Sequence, residues 1–491
     1  MKQLSSPLAL WVILAASVLQ QMLGHLNGDV SWLITACERL LEGGIAYVDV
    51  LETNPPAAWL IYMPAVWLAR LWGVAPEAVV AGAMFLFGLV VLHLCKALLP
   101  FDGEKCQVFL NGLAALIFFM PDFSFAEREH VAVMAALPII CLWSLPSSSK
   151  ITWSLRFVSA CLAALTIIIK PHFALVIGLP LLWRAFVMRR WHMLFGFEPL
   201  LIAALVLCYV AFIIFRYPAF FDVMLALVET YVPIRAPFKE VLTGGWFLAH
   251  LGLAALILWS LWRKSVPLLV VQLLLGSFGF QIAYLLQMKG WTNHGLPGVT
   301  LVAASALVVA LPYWERWRAL DSDEIAKRVV TMGVLPVGFY LMILFGAGLQ
   351  FTGFEPHEGL ARAIRQIHPQ APRIMSLTGA LDVGHPATRA AGGKWVARPH
   401  STWMAVYARI LLYLHAREAA HRARLLAYIE RDVAIFVEDV ERQRPDLILI
   451  DEDGYTEELM LHPAIRAVLQ PYEPRGYAAG ITIWGRSDQR G

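Results

Sequence analysis

Eleven apolar runs divide the first 350 residues of this 491-residue chain: 7–24, 75–99, 107–121, 131–146, 151–169, 173–188, 197–215, 242–262, 265–288, 295–313 and 329–350. Inside hydrocarbon a chain must satisfy its own backbone N–H and C=O groups, and a helix of about 20 apolar residues does so while crossing the bilayer. The composition agrees, with 59% hydrophobic and only 15% charged residues at a mean hydropathy of +0.63, against about 25% charged in soluble domains. These runs therefore imply a polytopic α-helical membrane domain. Pro7–Leu23 follows Met1-Lys2 without a small-x-small cleavage site and is expected to remain as a span.

Segment 57–72 (AAWLIYMPAVWLARLW) is the doubtful run, with 16 residues and an internal Pro64. Leaving it on the surface puts Lys96–Lys105, Ser147–Arg156, Arg184–His192, Arg263-Lys264 and Trp314–Arg328 on one side, which concentrates Lys and Arg there. That asymmetry selects eleven spans with the N-terminus cytoplasmic and the C-terminus outside. After residue 350 charge rises and apolar runs shorten. Arg373–Thr378, Asp446–Ile450 and Gly480–Trp484 read as buried strands. Ser401–His415, Arg417–Arg442 and Glu457–Leu469 read as helices. The expected organisation is an all-α transmembrane domain over 1–350 and a small α/β extracytoplasmic domain over 351–491. None of the six cysteines lies in that tail, so no disulfide framework is implied.

The outer segments carry few polar groups, and those few are chemically dense. Val30–Leu41 is amphipathic. It is expected to lie along the interface with Trp32, Leu33, Ala36, Leu40 and Leu41 on one side and Ser31, Glu38, Arg39 and Glu42 on the other. Asp29 stands at or just before its start, where an aspartate serves either as a helix N-cap or as a catalyst. Asp122–His130 (DFSFAEREH) joins two short runs and carries Glu127, Arg128, Glu129 and His130 into a span, where ionisable groups face a cavity or one another. Lys170 with His172, Arg235 with Lys239, and Lys289-Gly-Trp-Thr-Asn-His294 supply cations and polar groups on the same side. Each cation alone suits a snorkelling anchor; together they suit a phosphate or pyrophosphate. Trp291 fits either a sugar-stacking face or an interfacial anchor. No Walker loop, dinucleotide fingerprint, CxxC or metal-binding His pair is present. His93 and His250 are expected as packed histidines, which leaves the chemistry at the outer face.

The stretch NGDVSWLITACERLLEGGIAYVDVLETNPP resembles the first outer loop of GT-C glycosyltransferases, polytopic enzymes that use polyprenyl-phosphate sugars, such as lipid A aminoarabinose transferases and protein O-mannosyltransferases. The resemblance covers roughly residues 7–310 and makes the expected fold GT-C-like, with interfacial helices after span one. It implies that Asp29 is the catalytic carboxylate, the base for an acceptor hydroxyl in a single inverting displacement. It also implies that Glu52–Pro56, with Glu52 and Asn54, matches the proline-containing segment, that Glu127–His130 is the second acidic motif, and that Lys170 lies near the lipid phosphate. Lys289–His294 resembles a pattern of a bacterial subgroup. Where the aminoarabinose-type enzymes have a Lys before the Pro, this chain has Asn54, so Lys289 or Arg235 is expected to substitute. Glu127 and Glu129 are expected to orient the acceptor or the neighbours of Asp29, with Arg128, His130, Lys170, His172, Arg235, Lys289, Trp291 and His294 around the donor. The implied partners are a polyprenyl-phosphate-linked sugar donor, membrane lipid, and a glycan, lipid or protein acceptor, with no nucleic acid. The implied place is the bacterial inner membrane with a periplasmic tail. A divalent cation, Mg²⁺ or Mn²⁺, is compatible with the outward carboxylates, although the local cations favour a metal-free site. The competing classes are a lipid-linked sugar flippase or exporter, which would need a polar path through the bilayer, and a non-catalytic glycan-assembly scaffold.

Overall fold

The computed structural model describes residues 6–24, 27–146, 149–262, 265–318, 355–414 and 418–488. The first ten expected spans are helical in it, from Pro7–Leu23 to Thr292–Arg318. The eleventh, 329–350, lies outside the described residues. Among the described residues four helices are long and apolar enough to cross a membrane: Pro76–Leu98, Phe197–Arg216, Leu268–Gln287 and the helix beginning at Thr292. Others, such as Trp153–Ile169 and Gly245–Ser260, have 17 and 16 residues and reach roughly 25 Å at 1.5 Å per residue. Segment 57–72 breaks into Ala57–Leu60 and Met63–Trp72. Ten helical residues cover only about 15 Å, half the hydrocarbon thickness, so it does not cross as a helix.

The chain forms two compact units. The first comprises Met1–Gly24, Ala81–Ala211 and Ala236–Thr352. Its centre is the helix Arg128–Trp143, buried along its whole length. It packs against Trp153–Ile169 and Thr292–Arg318, and the latter packs against Leu268–Gln287. Small residues permit these approaches, as is usual where apolar helices meet in lipid. A Cβ added at Gly276 on Leu268–Gln287 would come within 3.0 Å of the Leu301 side chain on Thr292–Arg318. Outward faces remain apolar, with Leu86 and Leu207 well exposed. Buried polar groups are paired across helices: the Ser277 hydroxyl donates to the Gly298 carbonyl at 2.7 Å and accepts from His250 Nε2 at 2.7 Å. His250 is thus packed, whereas His93 lies on an exposed face.

The second unit comprises His25–Val80, Phe212–Arg235 and Gly353–Gly491. Its five-stranded sheet, among the described residues, consists of β1 (Arg373–Leu377), β2 (Lys394–Trp395), β3 (Leu447–Asp451), β4 (Tyr472–Ala478) and β5 (Ile481–Arg486). The order is β2-β1-β3-β5-β4, with β1 parallel to β2 and β3, and β5 antiparallel to both β3 and β4. The expected helix 457–469 is two, Gly454–Met460 and Pro463–Leu469, because Pro463 opens a new helix instead of continuing one.

Asp432, on the helix Ala419–Gln443, is fully buried and accepts the Ala405 backbone N–H at 2.9 Å, so it caps the helix Trp403–Leu414 from outside. Burial outweighs the backbone donors and pushes its carboxyl from 3.8 up to about 7. The unfolded chain therefore holds fewer protons at this group between pH 3.8 and 7, and stability falls as pH rises through that window. The slope is about 1.4 kcal/mol per pH unit, levelling off above the folded value. Asp432→Asn is expected to remove this slope and to equal or exceed the parent in stability at pH 8. The check is amide hydrogen exchange in β1 and β3 at pH 5 and 8; an unchanged slope would show that Asp432 does not carry it.

Candidate functional site

Three helix ends meet in the first unit. Pro171 disfavours a helical conformation in the residue before it, so the helix Trp153–Ile169 stops and Lys170 turns extended at φ −145° and ψ 118°. Arg128–Trp143 begins one residue after Glu127, which occupies the cap position. Thr292–Arg318 begins after a reversal carrying Met288 at φ +49° and Gly290 at φ +72°. At the meeting point Lys170 Nζ donates to Glu129 Oε1 and lies 3.3 Å from His294 Nε2, while His294 Nε2 is 3.4 Å from Glu129 Oε1. Glu129 and His294 are buried and the Lys170 side chain is nearly so.

An ammonium only donates, so His294 accepts through Nε2 and carries its proton on Nδ1. That Nδ1, Glu129 Oε2 and His172 Nε2 are buried without a hydrogen-bond partner among the described residues. Buried polar atoms left unpaired are costly, so a cluster holding three of them has hydrogen-bonding capacity to offer a ligand or water. Burial, helped by the Lys170 charge, lowers His172 to about 4, so at neutral pH it is an uncharged hydrogen-bonding group and not a cation. The Arg128 charge also acts on Glu129 and His294, and Glu127 is buried beside Arg128 in sequence. Two helix N-termini add positive ends that favour an anion. The Trp291 ring sits 5.3 Å from that of His294, at the margin of the cluster.

His130 is not part of this cluster. Its Nδ1 accepts the Ala126 N–H at 3.1 Å and its Nε2 donates to the Ile117 carbonyl at 2.7 Å. Both nitrogens are spent on backbone, tying the acidic turn to the π-helical segment Ala115–Phe119. The turn is held from its other end by Gln20, which donates to Asp122 Oδ1 at 2.6 Å. Lys289 is half-buried in the reversal before His294. Arg235, in the second unit, is exposed between the helices Phe220–Thr230 and Phe238–Thr243.

In the second unit Asp29 sits in the first turn of the helix Gly28–Leu41, and the cap is Asn27, whose side-chain oxygen accepts the Asp29 backbone N–H at 2.7 Å. The capping role is thus filled by its neighbour. The expected polar face of this helix is engaged: Arg389 donates to Glu38, Arg39 donates to the Ala397 carbonyl, and Lys394 pairs with Glu42 at 2.8 Å. Ser31 is fully buried and the helix is covered from Val30 to Cys37. The cause is the chain after β1: Leu381, Asp382 and His385 close on Gly28, and the rings of His385 and His400 lie 5.3 and 5.7 Å from Trp32. Glu52 accepts from the Trp32 indole and from the Asn54 backbone at 2.8 Å, and the Asn54 side chain also donates to it. The Asn54 carbonyl accepts from Tyr47 at 2.8 Å. Glu52 and Asn54 therefore fasten the proline turn to the helix.

Two neighbours of Asp29 carried no sequence signal. Burial, with the charges of Asp382 and Asp29 added, pushes the Tyr407 phenol up to about 12. Asp382 lies beyond the carboxyl end of β1, where open α/β sheets place their ligands. That position was the available clue. Among the described residues no group of three or more His, Cys, Asp or Glu side chains is placed to hold a metal ion.

No protein-family model matches the sequence, and neither does any curated protein. Solved structures do. The crystal structure of ArnT from Cupriavidus metallidurans in the apo state superposes with a TM-score of 0.61 at 13% identity, covering 97% of each chain. The structure of the same protein bound to undecaprenyl phosphate gives 0.57 at 12% identity, again over 97% of each. This chain has the ArnT fold over nearly its whole length.

Proposed function

We propose that the chain is a membrane glycosyltransferase. It would move a sugar from a polyprenyl-phosphate donor to an envelope glycan, lipid or protein on the outer face of the inner membrane, with the N-terminus cytoplasmic and the C-terminal region periplasmic. The observation that carries this reading is the buried Lys170–Glu129–His294 group with its orphaned polar atoms, in a fold shared with a protein seen with undecaprenyl phosphate. Lys170, with the His294 and His172 rings, meets the donor phosphate. Glu129 holds Lys170 and His294 in place, and Arg128 balances its charge. As the bond from the anomeric carbon to the phosphate oxygen breaks, negative charge grows on the leaving lipid phosphate, and the ammonium stabilises it. The acceptor oxygen bonds to the same carbon from the opposite face, and Asp29 takes its proton. One displacement inverts the anomeric centre.

The test is a membrane assay with a radiolabelled polyprenyl-phosphate sugar. The expected result is label in an acceptor, with one polyprenyl phosphate released per sugar moved. Label that crosses the bilayer while staying on its lipid would replace this reading with a flippase.

A further inference from the structure

A cleft of about 470 Å³ lies in the second unit, between the end of the helix Gly28–Leu41 and the starts of β1 and β2. That size suits a small ligand. Ten of its twelve lining residues are polar, charged or glycine; Trp395 and Val396 are the apolar ones. Five lining residues are cationic and three are carboxylates.

The carboxylates are already engaged. Glu42 pairs with Lys394 at 2.8 Å. Asp439 takes the Arg398 backbone N–H at 2.8 Å and its Nε at 2.7 Å. Asp49 accepts the Ile45 N–H at 2.9 Å. The cations are not matched in the same way. Arg39 gives its N–H groups to the Ala397 and Asp49 carbonyls, and the charges of Asp439, Asp49 and Glu42 act on it. Arg373 is oriented by a neutral group, donating to Gln443 Oε1 at 2.7 Å. Neither Arg373 nor Arg442 has an ion pair among the described residues. A polar cleft with two arginines that make no ion pair among the described residues has the chemistry of an oxyanion site, because the guanidinium fork matches phosphate and carboxylate bidentately.

We propose that this cleft binds an oxyanion-bearing ligand, through phosphate or carboxylate groups, at Arg373 and Arg442. The proposal does not depend on the transfer reaction. It is tested by calorimetric titration of the full-length protein with two probes, pyrophosphate and digalacturonate, which separate the two anion types. At least one probe is expected to bind saturably, more weakly at high salt. Arg373→Gln and Arg442→Gln are each expected to weaken it at least about tenfold, the effect of one lost charge-assisted contact. The same titration in a Lys170→Met/Glu129→Gln background, which leaves no stranded charge, keeps binding at the membrane-side cluster from being mistaken for binding here. Both arginines are exposed, so the variants should fold, and unchanged thermal unfolding verifies that. The proposal is overturned if neither probe saturates, if both Arg variants bind like the parent, or if the folded Lys170→Met/Glu129→Gln variant no longer binds.

Discussion

Asp29→Asn is expected to lower glycosyl transfer by about 10²–10⁴-fold, the usual contribution of a positioned general base. The substitution is nearly isosteric, and the contact that starts the helix uses the Asp29 backbone, not its side chain. Loss of one acid from a first helical turn costs only about 0.3–1 kcal/mol. Protein yield and donor binding should therefore stay near the parent values while turnover collapses. The measurement is single-turnover transfer with donor prebound, which separates the chemical step from binding. Transfer within threefold of the parent would remove Asp29 from the reaction. Tyr407→Phe offers a comparison: it keeps the aromatic ring and deletes only the hydroxyl, on which the Asp29 charge acts. If Asp29 acts alone as base, this second variant should change the rate far less than the first.

The helices of the first unit were legible because a long apolar run is a local property of sequence. Lys170 was legible for a similar reason, since Pro171 dictates where its helix ends. What sequence could not reveal were the partners. Glu52 looked like a site residue in a polar loop, but the Trp32 indole, 20 residues earlier, claims its carboxylate. His130 looked like a member of an ionisable cluster, but two backbone groups close on both sides of its ring. The helix Gly28–Leu41 has the periodicity of an interface helix, but residues some 350 positions later engage its polar side, Arg389 on Glu38 and Lys394 on Glu42. Strand β4 (Tyr472–Ala478) contains Pro474 and Gly476, which argue against a strand. It is tolerated because it lies at the sheet edge, with a register shift between those two residues. Periodicity reports which face is buried only when the burying surface is known, and here it comes from the far end of the chain.

Lys170→Met is expected to fail in two separable ways. It removes the donor to Glu129, a carboxylate with almost no solvent contact. Breaking a buried pair by deleting one partner typically costs about 3–5 kcal/mol, because the remaining charge is left uncompensated. Much of the lost activity in the single variant is therefore a folding loss. Adding Glu129→Gln removes the stranded charge and should recover most of the thermal stability. If Lys170 also serves the donor phosphate, the double variant should fold yet bind a polyprenyl phosphate about 10–100-fold more weakly, the worth of a charged hydrogen bond. Glu129→Gln alone should do the opposite: with its partner neutral, the Lys170 ammonium is freed for the lipid phosphate, and donor affinity should hold or rise. Titration of all three variants with polyprenyl phosphate, alongside their melting curves, places each effect. A double variant that melts like the parent and also binds like it would make Lys170 a structural partner of Glu129 and nothing more.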